Sequence, residues 1–455
     1  MKNAQMAHLP ASLILAERSV PRYTSYPTAP HFSPAVTADV AETWLSELSP
    51  DATLSLYLHV PFCTAICTYC GCHTKAVRRA APIDDYTDTL EAEIALLAKR
   101  TRARRVAHIH WGGGTPSLLG AERLLRLKAA IDAHFNLSGI VEHAIELDPR
   151  TVTKRLADGL AKINVTRVSL GVQDFNDHVQ RAIGRVQPVE VVERAVAHLR
   201  KAGIEAINID LMYGLPTQSE DDVRRTAARA AGMKPSRLAI FGYAHVPWMK
   251  KHQRLIDAAA LPGAQERIAQ AAAAREVLEQ HGYQSIGLDH FALPEDNLAV
   301  AARNGSLRRN FQGYTTDTAD ALLPLGVSSI GQLPQGYIGN ATDNGGWARA
   351  VRDGKLATTR GIAISDDDRL RALVIERLMC DFRVDYGALA EAVAGDASAL
   401  DDAASALDEL ARDGVVKHKG RVVTVTPEGQ PFVRLAAAAF DAYLPKQAAR
   451  HSVAV

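Results

Sequence analysis

Between about residues 53 and 291 the chain alternates short apolar runs with longer stretches whose apolar residues recur at helical spacing. The runs at 54–60, 106–110, 143–147, 167–172, 207–212 and 238–243 predict strands. The stretches at 84–102, 121–134, 153–163, 189–202, 219–231 and 265–281 predict helices, several opened by capping residues such as Ser219 with Asp222 three positions on. Strand–helix alternation predicts parallel strands joined by helical crossovers. The fold class is therefore α/β, a partial (β/α)6 barrel that flanking segments close or cover.

The flanks read differently. Residues 1–50 carry Pro10, Pro21, Pro27, Pro30, Pro34 and Pro50 and one short helical stretch at 38–48, which predicts an extended surface arm. Residues 296–364 read as glycine-rich loops, with Gly305, Gly313, Gly326, Gly331, Gly336, Gly339, Gly345 and Gly346. From 365 the chain turns helical. Helices at 386–393 and 400–413, a hairpin at 415–425 and a last helix at 430–443 make a winged-helix-like order. The division is thus an arm (1–50), a catalytic α/β domain (51–295), a connecting region lining the site (296–364) and a C-terminal domain (365–455).

Charge narrows the functions. Lys and Arg number 52 against 51 Asp and Glu, so no basic field argues for nucleic acid. The helix that would enter a DNA groove carries Asp401, Asp402, Asp408 and Glu409 against Arg412, the wrong sign for phosphate. A covering or docking role fits better. No apolar run reaches the ~18 residues of a membrane span. Residues 1–10 lack the basic-then-apolar order of a secretion signal, and clustered thiols point to a reducing cytoplasm.

Four of the five cysteines, Cys63, Cys67, Cys70 and Cys72, fall inside ten residues just after the first strand. The first three make C-x3-C-x2-C. Three thiolates on a four-iron cluster leave one iron open to another ligand. Structural zinc would want four ligands, typically as two separated pairs. Cys72, His59 or His73 could complete such a set, but no second C-x2-C pair follows. An electron-carrying cluster would want a fourth thiolate, and Cys72 is poorly spaced for it. Disulfides are disfavoured, and Cys380 reads as packing. His108 and His110 share a strand face, yet lack a third partner for a second metal.

The C-x3-C-x2-C motif with an aromatic, Tyr69, before its last cysteine resembles the signature of radical S-adenosylmethionine enzymes. The longer string Tyr57-Leu-His-Val-Pro-Phe-Cys63 with Gly71-Cys72 resembles one branch, the oxygen-independent coproporphyrinogen III oxidases. So do Pro21-Arg-Tyr-Thr-Ser-Tyr-Pro-Thr28, Gly112-Gly-Gly-Thr-Pro-Ser117, Gly171-Val-Gln-Asp-Phe175 and Phe241-Gly-Tyr-Ala-His-Val-Pro247. That family usually has phenylalanine where Tyr69 stands. Its haem-binding relatives typically lack a fourth cysteine and the arm phrase, so Cys72 favours the oxidase over a haem-binding chaperone.

The resemblance implies a [4Fe-4S] cluster on Cys63, Cys67 and Cys70 and two molecules of S-adenosylmethionine. It places Gly113, Gly114 and Thr115 at the methionine end of the first and Glu146 beside it. Gln173, Arg185 and Asp210 would contact the second, Tyr57 and Tyr69 would flank the pair, and Ala244 and Ile330 would pack against it. Cys72 and Glu146 are the candidate catalytic groups. The implied reaction is oxidative decarboxylation of coproporphyrinogen III to protoporphyrinogen IX, two propionates becoming vinyls. It draws on a flavodoxin- or ferredoxin-like donor and an unidentified electron acceptor, in a monomer. The arm would fold over the site as a lid. By charge alone, Arg22, Arg308 and Arg309 are candidates for the substrate's carboxylates.

Overall fold

The computed structural model describes residues 11–444, so the first ten residues, on which the reading of no secretion signal rests, lie outside the described part. The predicted strands form as β1 (Thr53–Val60), β2 (Arg105–Gly113), β3 (Glu142–Leu147), β4 (Arg167–Gln173), β5 (Ala206–Tyr213) and β6 (Arg237–Gly242). They lie side by side in chain order, every neighbouring pair parallel. The crossovers are α1 (Ala81–Arg100), α2 (Gly120–His134), α3 (Lys154–Lys162), α4 (Val189–Lys201) and α5 (Glu220–Gly232), with α6 (Ala264–Gln280) after β6. Ser219 and Asp222 form the expected reciprocal cap at the start of α5.

Side-chain alternation sets the two faces. Leu54, Leu56 and Leu58 of β1, Val168 and Leu170 of β4 and Ile207 and Ile209 of β5 enter the main core against the helices. Ser55, Tyr57 and His59, Ser169 and Gln173, and Asn208 and Asp210 take the opposite, inner face. A sheet with one apolar and one polar face stays folded because its polar side chains satisfy one another. At the N-terminal end of the strands Arg167 binds Glu142 at 2.7 Å and Asp296 at 3.2 Å, and Arg237 binds Asp296 at 2.7 Å. These four charges floor the barrel.

The reading of 296–364 as loops misses six strands: a small hairpin, Arg308–Asn310 with Gly313–Thr315, and four that join the main sheet, β9 (Ala321–Leu325), β10 (Ile330–Leu333), β11 (Gly336–Asn340) and β12 (Thr358–Ala363). β9 lies parallel beside β1, and the other three follow antiparallel, while β8 (His290–Ala292) and β7 (Gln284–Ile286) extend the far edge beyond β6. The result is a twelve-stranded sheet. Its glycines are needed for close approach: a Cβ on Gly331 would meet the Leu322 carbonyl oxygen at 2.6 Å.

The C-terminal region has α8 (Asp366–Asp381), β13 (Arg383–Asp385), α9 (Tyr386–Ala394), α10 (Ala404–Arg412), β14 (Val416–Lys419) and β15 (Val422–Val425), the last two strands forming the wing. The α7 helix (Asn344–Arg352) precedes it. The last helix is shorter than predicted, α11 (Val433–Ala438), because Pro431 and a 3-10 turn at Gln430–Phe432 occupy its expected first turn. Three of the four acids of 401–409 pair within their own domain: Asp401 binds Arg421 at 2.6 Å, Asp402 binds Arg371 at 3.0 Å and Asp408 binds His418 at 2.7 Å. The arm is built into this domain. Leu15, Val20, Tyr23 and Tyr26 share a core with Leu370, Val374, Leu378 and Phe440.

One buried carboxylate ties the added strands to the helical layer. Glu93 of α1 accepts from Gly326 N (2.5 Å), Asn340 Nδ2 (2.8 Å) and Trp347 Nε1 (3.0 Å). Burial pushes its carboxyl up to about 7, against those three donors. A folded-state pKa above the ordinary 4.5 means the group favours folding below about pH 4.5 and loses that contribution as pH rises through about 7. Across that window the melting temperature should fall for the wild type relative to Glu93→Gln; an unchanging difference would show that Glu93 is ionised throughout.

Candidate active site

The strands deliver their functional side chains to one end. β1, β2, β3, β4 and β5 finish at Val60, Gly113, Leu147, Gln173 and Tyr213, and the cysteine loop leaves from the first of these. Functional groups of parallel α/β sheets gather at this carboxyl end. All five cysteines are free thiols. Each of the three motif thiols has a hydrogen-bond donor. Cys63 Sγ accepts from Thr115 Oγ1 at 3.4 Å and lies 3.2 Å from Thr74 Oγ1. Cys67 Sγ receives Arg185 Nη1 at 3.5 Å, and Cys70 Sγ receives the Cys72 backbone N–H at 3.4 Å.

That donor set fits a cluster. Thiolates bound to iron keep residual charge that hydrogen bonds stabilise. Among the described residues no three His, Cys, Asp or Glu groups are gathered on one point. A cubane instead takes its three thiolates at separate corners. Beside the thiols the chain thins: a Cβ on Gly114 would lie 2.6 Å from the Phe62 carbonyl oxygen, and Gly113 has φ +113° with the His59 ring where its Cβ would be. Only glycine lets this strand end approach the loop.

Glu146 accepts from Gly113 N at 3.2 Å and contacts His110 Nε2 at 3.1 Å, which fixes one carboxylate against the glycine turn. Tyr57 stacks on His110 with centroids 5.9 Å apart, and its hydroxyl meets His59 Nδ1 at 3.1 Å. Burial and the nearby Glu146 keep that phenol protonated well above its usual range. His108 lies 3.7 Å from Asp317, so the two histidines have separate carboxylate partners that the sequence did not reveal. Asp210 accepts from Ser169 Oγ at 2.5 Å and Asn208 Nδ2 at 2.7 Å, and burial lifts its carboxyl to about 6. Gln173 ends β4 at φ +73°. Arg185 binds Gly171 O at 2.5 Å and Asp148 at 3.3 Å, so this guanidinium already has an internal carboxylate. Ile330 stands at the level of Pro324, which pairs with Tyr57, two strands away from β1.

The Cys72 thiol hydrogen-bonds the Cys70 sulfur, which raises the Cys72 thiol and, against partial burial, lowers Cys70. Cys380 is buried in a separate apolar cluster with Ile286 and Leu298. Arg22, Arg308 and Arg309 are turned elsewhere: to Gly242 O, to Glu376, and to the Arg22 and Tyr23 carbonyls.

Sequence reasoning missed the loop after β6. Gln253 donates to Tyr69 O at 2.8 Å and Ala244 O at 3.3 Å, His252 Nε2 meets Cys70 O at 2.6 Å, and Lys250 Nζ donates to Cys72 O at 2.9 Å. These contacts target backbone carbonyls, which leave no pattern in a sequence. Gln253 is buried. Replacing it with alanine should leave the fold, read by circular dichroism, intact while lowering iron and sulfide retained per chain after anaerobic reconstitution. Full retention would mean that the loop holds itself.

Comparison with known proteins agrees with this geometry. The radical SAM superfamily model matches residues 57–230, and the HemN C-terminal domain model matches 364–432. An oxygen-independent coproporphyrinogen III oxidase of Bradyrhizobium diazoefficiens is 48% identical over 440 residues, 96% of this chain and 98% of its own length. The Escherichia coli enzyme of the same name is 40% identical over 436 residues, 94% of each chain. The solved structure of Escherichia coli coproporphyrinogen III oxidase, described as a radical SAM enzyme, superposes with a TM-score of 0.88 at 37% identity, covering 94% of this chain and 100% of that one. The chain belongs to the family of oxygen-independent coproporphyrinogen III oxidases, within the radical SAM superfamily.

Proposed function

We propose that this chain converts coproporphyrinogen III to protoporphyrinogen IX without oxygen, in haem biosynthesis. The observation that carries the reading is the three donor-supplied thiols at the carboxyl end of β1, in a chain similar to named oxidases over nearly its whole length. In the net reaction each converted propionate gives up a β-hydrogen atom, carbon dioxide and one electron, and a vinyl group remains.

The residues present suit a [4Fe-4S] cluster on Cys63, Cys67 and Cys70. When bound, the cluster with S-adenosylmethionine supplies one-electron cleavage of a carbon–sulfur bond. The protein's own part is holding and shielding. The backbone of Gly113, Gly114 and Thr115 offers polar groups without side-chain obstruction, and Glu146, set by Gly113 and His110, provides a fixed acceptor for an amino group. Asp210 and Gln173, on neighbouring strand ends, face the same interior with Tyr57. They, with Arg185, Tyr69, Ala244 and Ile330, are the candidates for a second S-adenosylmethionine. Cys72 keeps a protonated thiol beside Cys70, where it can donate a hydrogen bond. The Glu142, Arg167, Arg237 and Asp296 floor shuts the barrel to water from below.

The domain division follows: residues 51–295 as the catalytic unit, 296–364 as sheet and site lining, and 1–50 with 365–455 as its cover. The proposal includes an external one-electron donor of flavodoxin or ferredoxin type, an acceptor for the substrate's electron, a monomeric state and a cytoplasmic setting. No helix among the described residues is long and apolar enough to cross a membrane.

Anaerobic reconstitution followed by dithionite, S-adenosylmethionine and coproporphyrinogen III should give protoporphyrinogen IX. A fully loaded protein that cleaves S-adenosylmethionine but forms no vinyl product would remove this substrate. Cys63→Ala, Cys67→Ala and Cys70→Ala should each lose the brown chromophore, whereas Cys72→Ala should keep it and lose product; a colourless Cys72→Ala protein would make Cys72 a ligand.

A further inference from the structure

Outside the barrel wall, α6 and the C-terminal segment 427–434 stand away from β5 and β6 and enclose a cavity of about 650 Å3. That size is typical of small-molecule sites. The cavity is separate from the interior described above. Its strand residues, Tyr213 and Ile240, lie on the helix-facing side and alternate with Met212 and Phe241 on the other.

The cavity is chemically two-ended. Ile240, Ile268, Leu288 and Phe291 make an apolar wall. At one end Arg22, Arg309 and Arg434 meet around Asp289, the one carboxylate there among the described residues. The other acids, Glu276, Glu279 and Glu428, are exposed, and Glu276 is paired with Arg224 at 2.7 Å.

The cations are held in place by backbone carbonyls. Arg22 donates to Gly242 O at 2.9 Å, Arg309 to Tyr23 O and Arg22 O at 3.2 Å each, and Arg434 to Val20 O at 3.3 Å. Arg309 also lies 4.4 Å over the Tyr314 ring, and its Nη1 is buried without a partner. Asp289 is itself bound by His290 Nδ1 at 2.7 Å. Burial, then the neighbouring Arg22, holds Arg434 down at about 10. Among the described residues one carboxylate stands with Arg22 and Arg309 at this end, and Arg309 Nη1 is buried without a partner, so this end of the cavity favours an anion.

We propose that this cavity binds an amphipathic carboxylate, its apolar body on the Ile240–Phe291 side and its carboxylate end among Arg22, Arg309 and Arg434. Two sources share that chemistry. One is a tetrapyrrole whose two propionates lie on one edge, which is the product of the proposed reaction and so rests on that reading. The other is a long-chain fatty acid, which does not. A tetracarboxylate such as the substrate fits badly, because carboxylates all round the ring would meet the apolar wall or the exposed glutamates.

The test is anaerobic equilibrium dialysis of the cluster-loaded protein against protoporphyrin IX, coproporphyrin III and oleate. Ala272→Trp would fill the cavity from an exposed position on α6, and Arg309→Gln would remove one cation. One bound equivalent of protoporphyrin or oleate should vanish in Ala272→Trp and weaken about tenfold in Arg309→Gln, while coproporphyrin binding stays the same in both. Loss of protoporphyrin assigns the tetrapyrrole source; loss of oleate alone assigns the fatty acid. The proposal is overturned if neither ligand responds to either variant, or if coproporphyrin occupies the cavity as tightly. Failure to form vinyl product would sink the reaction reading and leave these binding counts untouched.

Discussion

The cysteine loop has to hold three thiolates in fixed positions with only a two-residue strand pair of its own, so its backbone is fastened both across its base and from outside. Thr68 N donates to Ile183 O at 3.1 Å, Lys75 N to Pro61 O at 2.9 Å and Val77 N to Cys63 O at 2.9 Å. The carbonyls of Tyr69, Cys70 and Cys72 are taken by Gln253, His252 and Lys250. The segment after β4, the segment after β6 and the loop itself are thus one assembly. A chain that bound its thiols only through the loop's own turns would spend ligand affinity on ordering the loop, at about 1–2 kcal/mol per residue fixed. Here that ordering is already present in the protein alone.

The same constraint explains why the barrel interior is polar. An open iron and a charged cofactor need acceptors and donors at the strand ends, and alternation then puts polar residues further down the same faces. Ser169, Asn208 and Asp210 satisfy one another, as do Ser55 and Asp317, whose oxygens lie 2.5 Å apart. Deeper still, Arg167 and Arg237 share Asp296. Burying these charges is tolerable only because they are paired; losing one partner of such a set costs about 3–5 kcal/mol.

The catalytic strands and crossovers were legible because apolar residues repeat at two clear spacings there, and the Ser219 cap was legible because its two residues are local. The motif thiols were legible by spacing alone. β9 to β12 were hidden by Pro324, Gly331, Gly336 and Gly339, residues that ordinarily punctuate strands. Pro324 is accommodated inside β9, and a Cβ at Gly336 or Gly331 would strike a neighbouring strand's carbonyl. Glu93 and Gln253 left no signal, since the contacts that matter, Glu93 to Gly326 and Gln253 to Tyr69, join residues more than 180 positions apart. The resemblance supplied Glu146, Asp210 and Arg185 as candidates, but that Arg185 is already bound to Asp148 could be read only in three dimensions.

The arm's construction limits how the site can open. Residues 15–26 do not lie on a finished C-terminal domain; they complete its core, with Leu15 and Val20 buried among Leu370, Val374 and Phe440. Tyr23 Oη donates to Asp441 at 3.0 Å, and Tyr26 Oη accepts from Ala442 N at 3.0 Å. Exposing a buried leucine or valine costs about 1.5–3 kcal/mol each, before those hydrogen bonds are counted. By contrast, the arm's hold on the barrel edge through Arg22 is a single exposed bond to Gly242 O. The rest of the arm is fastened to the other unit: Ser33 exchanges two backbone hydrogen bonds with Gly361 of β12, and Val36, Ala41, Leu45 and Leu48 enter the main core, so the arm ties the C-terminal domain to the sheet at both of its ends.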